Sequence, residues 1–148
     1  MPEPSHDPPE DFRRYLDDTL PGLAFAPIAF LSAKEGVGVE DLLQTCQELY
    51  EQAGQRVSTG ELNRVLERAL AARVPGSSAY QARVRYATQA GVHPPTFVLF
   101  VNDKRHFGKD YLRYLQNRLR EDLPFAEVPV RIVLRDKDTP VSPEEDPR

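Results

Sequence analysis

Seven cations are the residues of this chain best placed to do chemistry. Arg83 and Arg85 alternate with apolar residues, Lys104, Arg105 and Lys109 fall in one loop beside His106, and Arg131 and Arg135 alternate with Val130, Ile132 and Leu134. Guanidinium and ammonium groups spaced in this way can hold phosphate oxygens without reading a base sequence. The two strand pairs are equally what an exposed sheet face needs to stay wet. From Arg56 to Lys137 there are 15 Lys+Arg against 8 Asp+Glu, a balance of +7; the remaining residues hold 4 basic and 15 acidic, a balance of -11. A basic middle between acidic flanks suggests an anionic partner, with RNA the first candidate and DNA not expected.

Other chemistries find no support. There is no G-x-S-x-G elbow to expose a serine nucleophile. His6, His93 and His106 show no ligand spacing, and with Cys46 as the one cysteine no metal site is expected. Cys46 lies among Leu42, Leu43 and Leu49, which predicts a buried, inert thiol. The apolar run Leu23–Leu31 is broken by Pro27 and too short to cross a bilayer, so no membrane is expected. The start, Met1-Pro2-Glu3-Pro4-Ser5-His6, carries no secretory signal pattern, and a reducing cytoplasm fits these features.

The elements that must position the cations are legible from hydrophobic periodicity. Residues 1–10 and 138–148 are Pro- and acid-rich and are predicted to be disordered. In a first block, residues 11–55, Phe12, Tyr15, Leu16 and Leu20 recur at helical spacing up to Pro21-Gly22. The continuous run Phe25–Leu31 predicts a strand buried on both faces, and Leu42, Leu43, Cys46, Leu49 and Tyr50 predict a helix from Val39 to about Ala53. A second block, 56–137, opens on Ser58-Thr59-Gly60-Glu61, a capping box, with a helix through Leu62, Val65, Leu66 and Leu70. Tyr80, Ala82, Val84 and Tyr86 alternate with Gln81, Arg83 and Arg85, predicting a strand with one apolar and one wet face. After a turn at Gly91–Pro95 come a strand at Thr96–Val101, a helix at Lys109–Glu121 with Leu112, Leu115 and Leu119 inward, and a strand at Val128–Arg135. The order helix, strand, strand, helix, strand is satisfied most economically by two helices on one face of a three-stranded sheet, an α+β layer pair. Tyr111 and Tyr114 are then expected to serve packing rather than base stacking.

At this point the residues resemble a known family. Pro94-Pro95-Thr96-Phe97-Val98-Leu99-Phe100-Val101-Asn102-Asp103, Tyr111-Leu112-Arg113-Tyr114-Leu115-Gln116-Asn117-Arg118-Leu119-Arg120, and Arg56-Val57-Ser58-Thr59-Gly60-Glu61-Leu62-Asn63 are similar to the central strand, second helix and entrance of the C-terminal domain of Der (EngA) GTPases. Tyr86-Ala87-Thr88-Gln89 and Val128-Pro129-Val130-Arg131 resemble its other strands. The resemblance implies a KH-like αββαβ domain at 56–137 preceded, at 11–55, by the helix-strand-helix end of a second GTPase domain. It implies a role in assembly of the large ribosomal subunit, with ribosomal RNA and the parent GTPase domains as partners. It also places Ser32-Ala33-Lys34 at the guanine-contacting motif of a family that uses GTP and Mg.

The sequence departs from the family in ways that matter. It contains no G-x-x-x-x-G-K-S/T phosphate loop and no N-K-x-D stretch, since Asn102-Asp103-Lys104 is out of order. The chain alone is therefore expected to be inactive toward GTP, to hold no cofactor, and to keep Ser32-Ala33-Lys34 as a relic. No two glycines have the G-x-x-G spacing with which KH domains clamp a backbone. Two readings stay open: an RNA-binding module using Arg83, Arg85, Lys104, Arg105, Lys109, Arg131 and Arg135 as its surface, or a docking module that packs on the GTPase domains. A strand at Phe25–Leu31 would lack neighbours in this chain. An exposed apolar edge is expected, to be covered by the second block, a second copy or a missing domain.

Overall fold

A computed structural model describes residues 10–75 and 82–136, so both predicted disordered ends fall outside the described residues except for Glu10. The chain divides into two compact units, Met1–Glu51 and Gln52–Arg148.

In the first unit α1 spans Glu10–Thr19, with Glu10 and Asp11 placed where the helix dipole favours negative charge. A 3-10 turn at Pro21–Leu23 ends it, and the ring of Phe12 meets Phe30 edge-on at 5.6 Å. The predicted strand at Phe25–Leu31 does not form. A strand exists only by pairing its N–H and C=O groups with a neighbour, and the described strands form one sheet that does not include this run. What remains is an isolated bridge between Ser32 and Val37 that closes a tight turn. That turn needs Gly38, whose φ is +75° and where a Cβ would run into the Phe30 carbonyl oxygen. No described residue of this unit is buried. The second predicted helix, α2, spans Val39–Ala53. Its Cys46 is exposed, against expectation. Leu43 and Tyr50 share its face and are exposed too. Periodicity shows which face of a helix is apolar and says nothing of what covers it.

The second unit holds the core. Helix α3 spans Thr59–Ala72, and the Ser58 hydroxyl accepts from the Glu61 N–H at 3.2 Å, as the capping box predicts. Strands β1 (Val84–Gly91) and β2 (Thr96–Val101) pair antiparallel, helix α4 (Lys109–Asp122) follows, and β3 (Arg131–Arg135) pairs parallel to β2, giving the order β1-β2-β3. A parallel neighbour cannot be reached by a hairpin, and α4 supplies the crossover. β3 starts later than predicted because Pro129 has no N–H to donate, and the ladder opens when Arg131 N–H reaches the Pro95 carbonyl at 2.9 Å. Phe97, Leu99 and Val101 project from the central strand into a core closed by Leu62, Val65, Leu66, Leu115, Leu119 and Phe125, all essentially inaccessible to solvent.

Side chains tie the free edge of β1 to α3. The Asn63 amide accepts from the Ala87 N–H at 2.9 Å and donates to the Ala87 carbonyl at 3.0 Å, standing in for a missing strand at that residue. Gln89 does the same for the entering chain, accepting from the Val57 N–H at 2.9 Å and donating to the Gln55 carbonyl at 3.0 Å. On α4, Tyr111 and Tyr114 donate hydroxyl hydrogen bonds to the Arg73 and Ala69 carbonyls (2.6 and 2.9 Å), capping the end of α3 as packing residues. Replacing Asn63 with Ala leaves both backbone groups of fully buried Ala87 without partners. Each such loss costs about 1–3 kcal/mol, so urea unfolding of Asn63→Ala should show a loss of about 2–4 kcal/mol, well above that of an exposed control such as Asn117→Ala.

Candidate nucleic-acid interface

The two faces of the sheet differ because only one is covered by helices. By strand register, the helix-covered face carries Ala87 and Gln89, Phe97 and Leu99, and Ile132 and Leu134. The opposite face carries Tyr86 and Thr88 from β1, Thr96, Val98 and Phe100 from β2, and Arg131, Val133 and Arg135 from β3; Val98 at its centre is buried, Tyr86 and Arg131 are exposed, and the rest are half-buried. No carboxylate stands among these eight positions.

One departure from the predicted alternation builds this face. Val84 pairs with Val101, yet Tyr86 pairs with Phe100, so Arg85 is an extra residue in a β-bulge. In a bulge two residues oppose one on the partner strand, and Arg85 and Tyr86 together oppose Phe100. Without the bulge, Tyr86 would point with Val84 into the core. With it, Tyr86 lies on the wet face, 51 % exposed, and Ala87 takes the buried position. The Tyr86 ring stacks on Phe100 with centroids 4.3 Å apart and planes 15° from parallel. Across the sheet the row reads Arg85 and Tyr86, Phe100, Arg135.

The structure separates the seven predicted cations into four places. Arg131 and Arg135 share the open face, and Arg131 is exposed. Arg85 is exposed in the bulge; exposed Arg83 stands just before β1, where its N–H donates to the Asn102 side-chain oxygen at 2.9 Å. Lys104 and Arg105 lie in a 3-10 turn, Lys104–His106, with acids beside them. Arg105 grips the Asp103 carboxylate at 2.7 Å and Lys104 stands 4.0 Å from Asp136, so this cluster is electrostatically matched within itself. Lys109 is exposed at the start of α4. A separate cleft of about 440 Å³ beside α3 is lined by Glu61, Arg64, Val65, Arg68 and Asp122, and its mixed charges give it no preference for an anion.

Sequence reasoning missed Tyr86 as an exposed residue stacked on half-buried Phe100. Apolar alternation through Val84 and Tyr86 assigns both to the core, and no local signal marks a bulge whose existence depends on the register of β2.

The family described as the KH-domain-like domain of EngA bacterial GTPase enzymes, C-terminal, matches residues 56–135, more than half of the chain. The chain belongs to this family. It is similar to the GTPase Der of Alkaliphilus oremlandii, 39 % identical over 128 residues, which cover 86 % of this chain and 29 % of that protein. It is also similar to GTPase Der of Rhodopirellula baltica, 39 % identical over 133 residues (88 % and 29 %), and of a Synechococcus species, 40 % identical over 129 residues (86 % and 28 %). The chain thus spans less than a third of the length of these curated relatives. The α+β fold, with its three-stranded sheet, is that of a KH-like domain.

The stretch that the family resemblance matches to a guanine-contacting motif, Ser32-Ala33-Lys34, lies in a turn. The Ser32 N–H is committed to the Val37 carbonyl at 2.9 Å, and the Ser32 carbonyl accepts from the Glu35 N–H at 3.2 Å. Ser32, Ala33 and Lys34 are thus part of a turn closed by its own backbone.

The Arg105 side chain and backbone N–H both donate to Asp103, and these hydrogen bonds hold its carboxyl down at about 2. Because the folded value is depressed, the stabilisation is present above the ordinary carboxylate value and is lost as pH falls through about 2. A carboxyl-carbon NMR titration should place Asp103 near 2 in the native chain and return it toward the ordinary value in Arg105→Ala.

Proposed function

We propose that this chain is the C-terminal region of a Der-type GTPase acting in large ribosomal subunit assembly, and that its KH-like unit binds ribosomal RNA through a basic surface. The observation that carries the reading is the sheet face turned away from the helices, which carries exposed Arg131 and half-exposed Arg135. The +7 balance of residues 56–137 supports it, as does membership of a family of GTPase C-terminal domains. With no G-x-x-G clamp, the contacts are ion pairs between arginine and phosphate, which fix position without reading sequence.

The parent GTPase domains are the second class of partner, favoured by the more than two thirds of each relative that this chain does not span. On that reading Arg83 and Arg85 meet a protein surface. Charge reversal at both would abolish binding to separately expressed GTPase domains of a Der relative while leaving RNA binding intact.

Binding to structured ribosomal RNA should fall steeply with salt. Neutralising two to three phosphates gives a loss of about ten- to forty-fold in affinity between 50 and 200 mM salt. The double variant Arg131→Glu, Arg135→Glu should weaken binding at low salt by at least about ten-fold and flatten that salt slope. Filter binding measures both, and an absence of binding at low salt would overturn the reading.

A further inference from the structure

We infer that the acidic C-terminal segment, residues 138–148, folds back onto the basic end of the sheet and shields it, so that an anionic partner must displace the chain's own tail. The inference rests on the RNA-binding reading above and adds its regulation. Strand directions gather the charge. β1 runs antiparallel to β2 and β3 runs parallel to it, so the start of β1 and the ends of β2 and β3 meet at one end of the sheet. The stretches at these strand ends, residues 83–85, 102–110 and 135–136, hold six Lys+Arg against three Asp, a balance of +3. Internal pairing absorbs part of this charge, as where Arg105 grips Asp103, and Arg85 and Lys109 are exposed.

The occupant follows from where the chain goes next. Asp136 is held at this end, its carboxylate accepting from the Lys104 N–H at 3.3 Å, and the tail starts from there. Residues 138–148 hold Asp138, Glu144, Glu145 and Asp146 against Arg148, a balance of -3. Glu144 lies eight residues beyond Asp136. That is a span of about 25 Å in a proline-rich chain at about 3.1 Å per residue. β1 is two strand spacings from β3, about 10 Å, so the acids reach Arg85 on the far strand. Pro140, Pro143 and Pro147 have no N–H to donate, so the segment is ill-suited to extend the sheet as a strand, and its contact is one of charge. A tethered segment acts at an effective concentration of about millimolar, which favours it over the same segment of a second copy.

The test compares the full chain with a variant whose segment is neutralised by Asp138→Asn, Glu144→Gln, Glu145→Gln and Asp146→Asn. Without RNA and at low salt, backbone amide NMR spectra of the two should differ at Arg83, Arg85 and Lys109. They should agree at Arg64, which lines the separate cleft beside α3. The difference should vanish in about 1 M salt, where the Debye length is about 3 Å. Toward structured ribosomal RNA at low salt, the variant should bind about three- to ten-fold more tightly, the effect of removing a few exposed ion pairs that compete. Identical spectra at the basic end overturn the inference whatever the RNA affinity. Altered spectra with tight but equal RNA binding overturn it too, since the segment then shields nothing. A spectral difference that grows with protein concentration makes the contact one between copies and overturns it. Altered spectra with no RNA binding by either chain uphold the tail contact and overturn the RNA-binding reading alone.

Discussion

Two helices can cover only one face of a three-stranded sheet, and the second unit follows from that constraint. Phe97, Leu99 and Val101 send their side chains from the central strand into the space between α3 and α4, where burial removes them wholly or nearly so from water. Burying side chains of this size stabilises a fold by about 1.5–3 kcal/mol each, and no other region of the described chain concentrates such residues. The cost is that the residues between them, Thr96, Val98 and Phe100, must look the other way. The open face is therefore a consequence of how the core was made.

The bulge at Arg85 decides what that face contains. One inserted residue reverses the side-chain phase of β1, sending Ala87 to the helix side, where its small side chain lets α3 approach. That close approach brings Asn63 within reach of both backbone groups of Ala87, and the amide closes an edge that would otherwise expose unpaired donors and acceptors. The same reversal places Tyr86 over Phe100 on the outside. Edge protection by α3 and the exposure of Tyr86 are thus two results of one register shift.

The first unit stands under a different constraint. Its helices carry apolar faces and its turn at Ser32–Val37 is closed by its own backbone, but none of its described residues is buried. Phe30 and Leu31, which periodicity marks as strand, stay exposed. An apolar run becomes a strand only when another strand meets its hydrogen-bonding groups, and the described residues supply none.

The amino-acid sequence by itself determined whatever depends on neighbours along the chain. The capping box at Ser58 and Glu61, the helical spacing of Leu62, Val65, Leu66, Leu115 and Leu119, and the limits of Thr96–Val101 and of α2 were all legible, because caps and periodicities are local. The motifs that place the chain in the Der family were legible for the same reason. Tertiary structure alone decided the phase of β1, the pairing of Lys104 and Arg105 with Asp136 and Asp103, the exposure of Cys46 and the absence of a strand at Phe25–Leu31. Each of these depends on a partner distant in sequence or on a covering surface, and a side chain's type carries no record of which partner arrives.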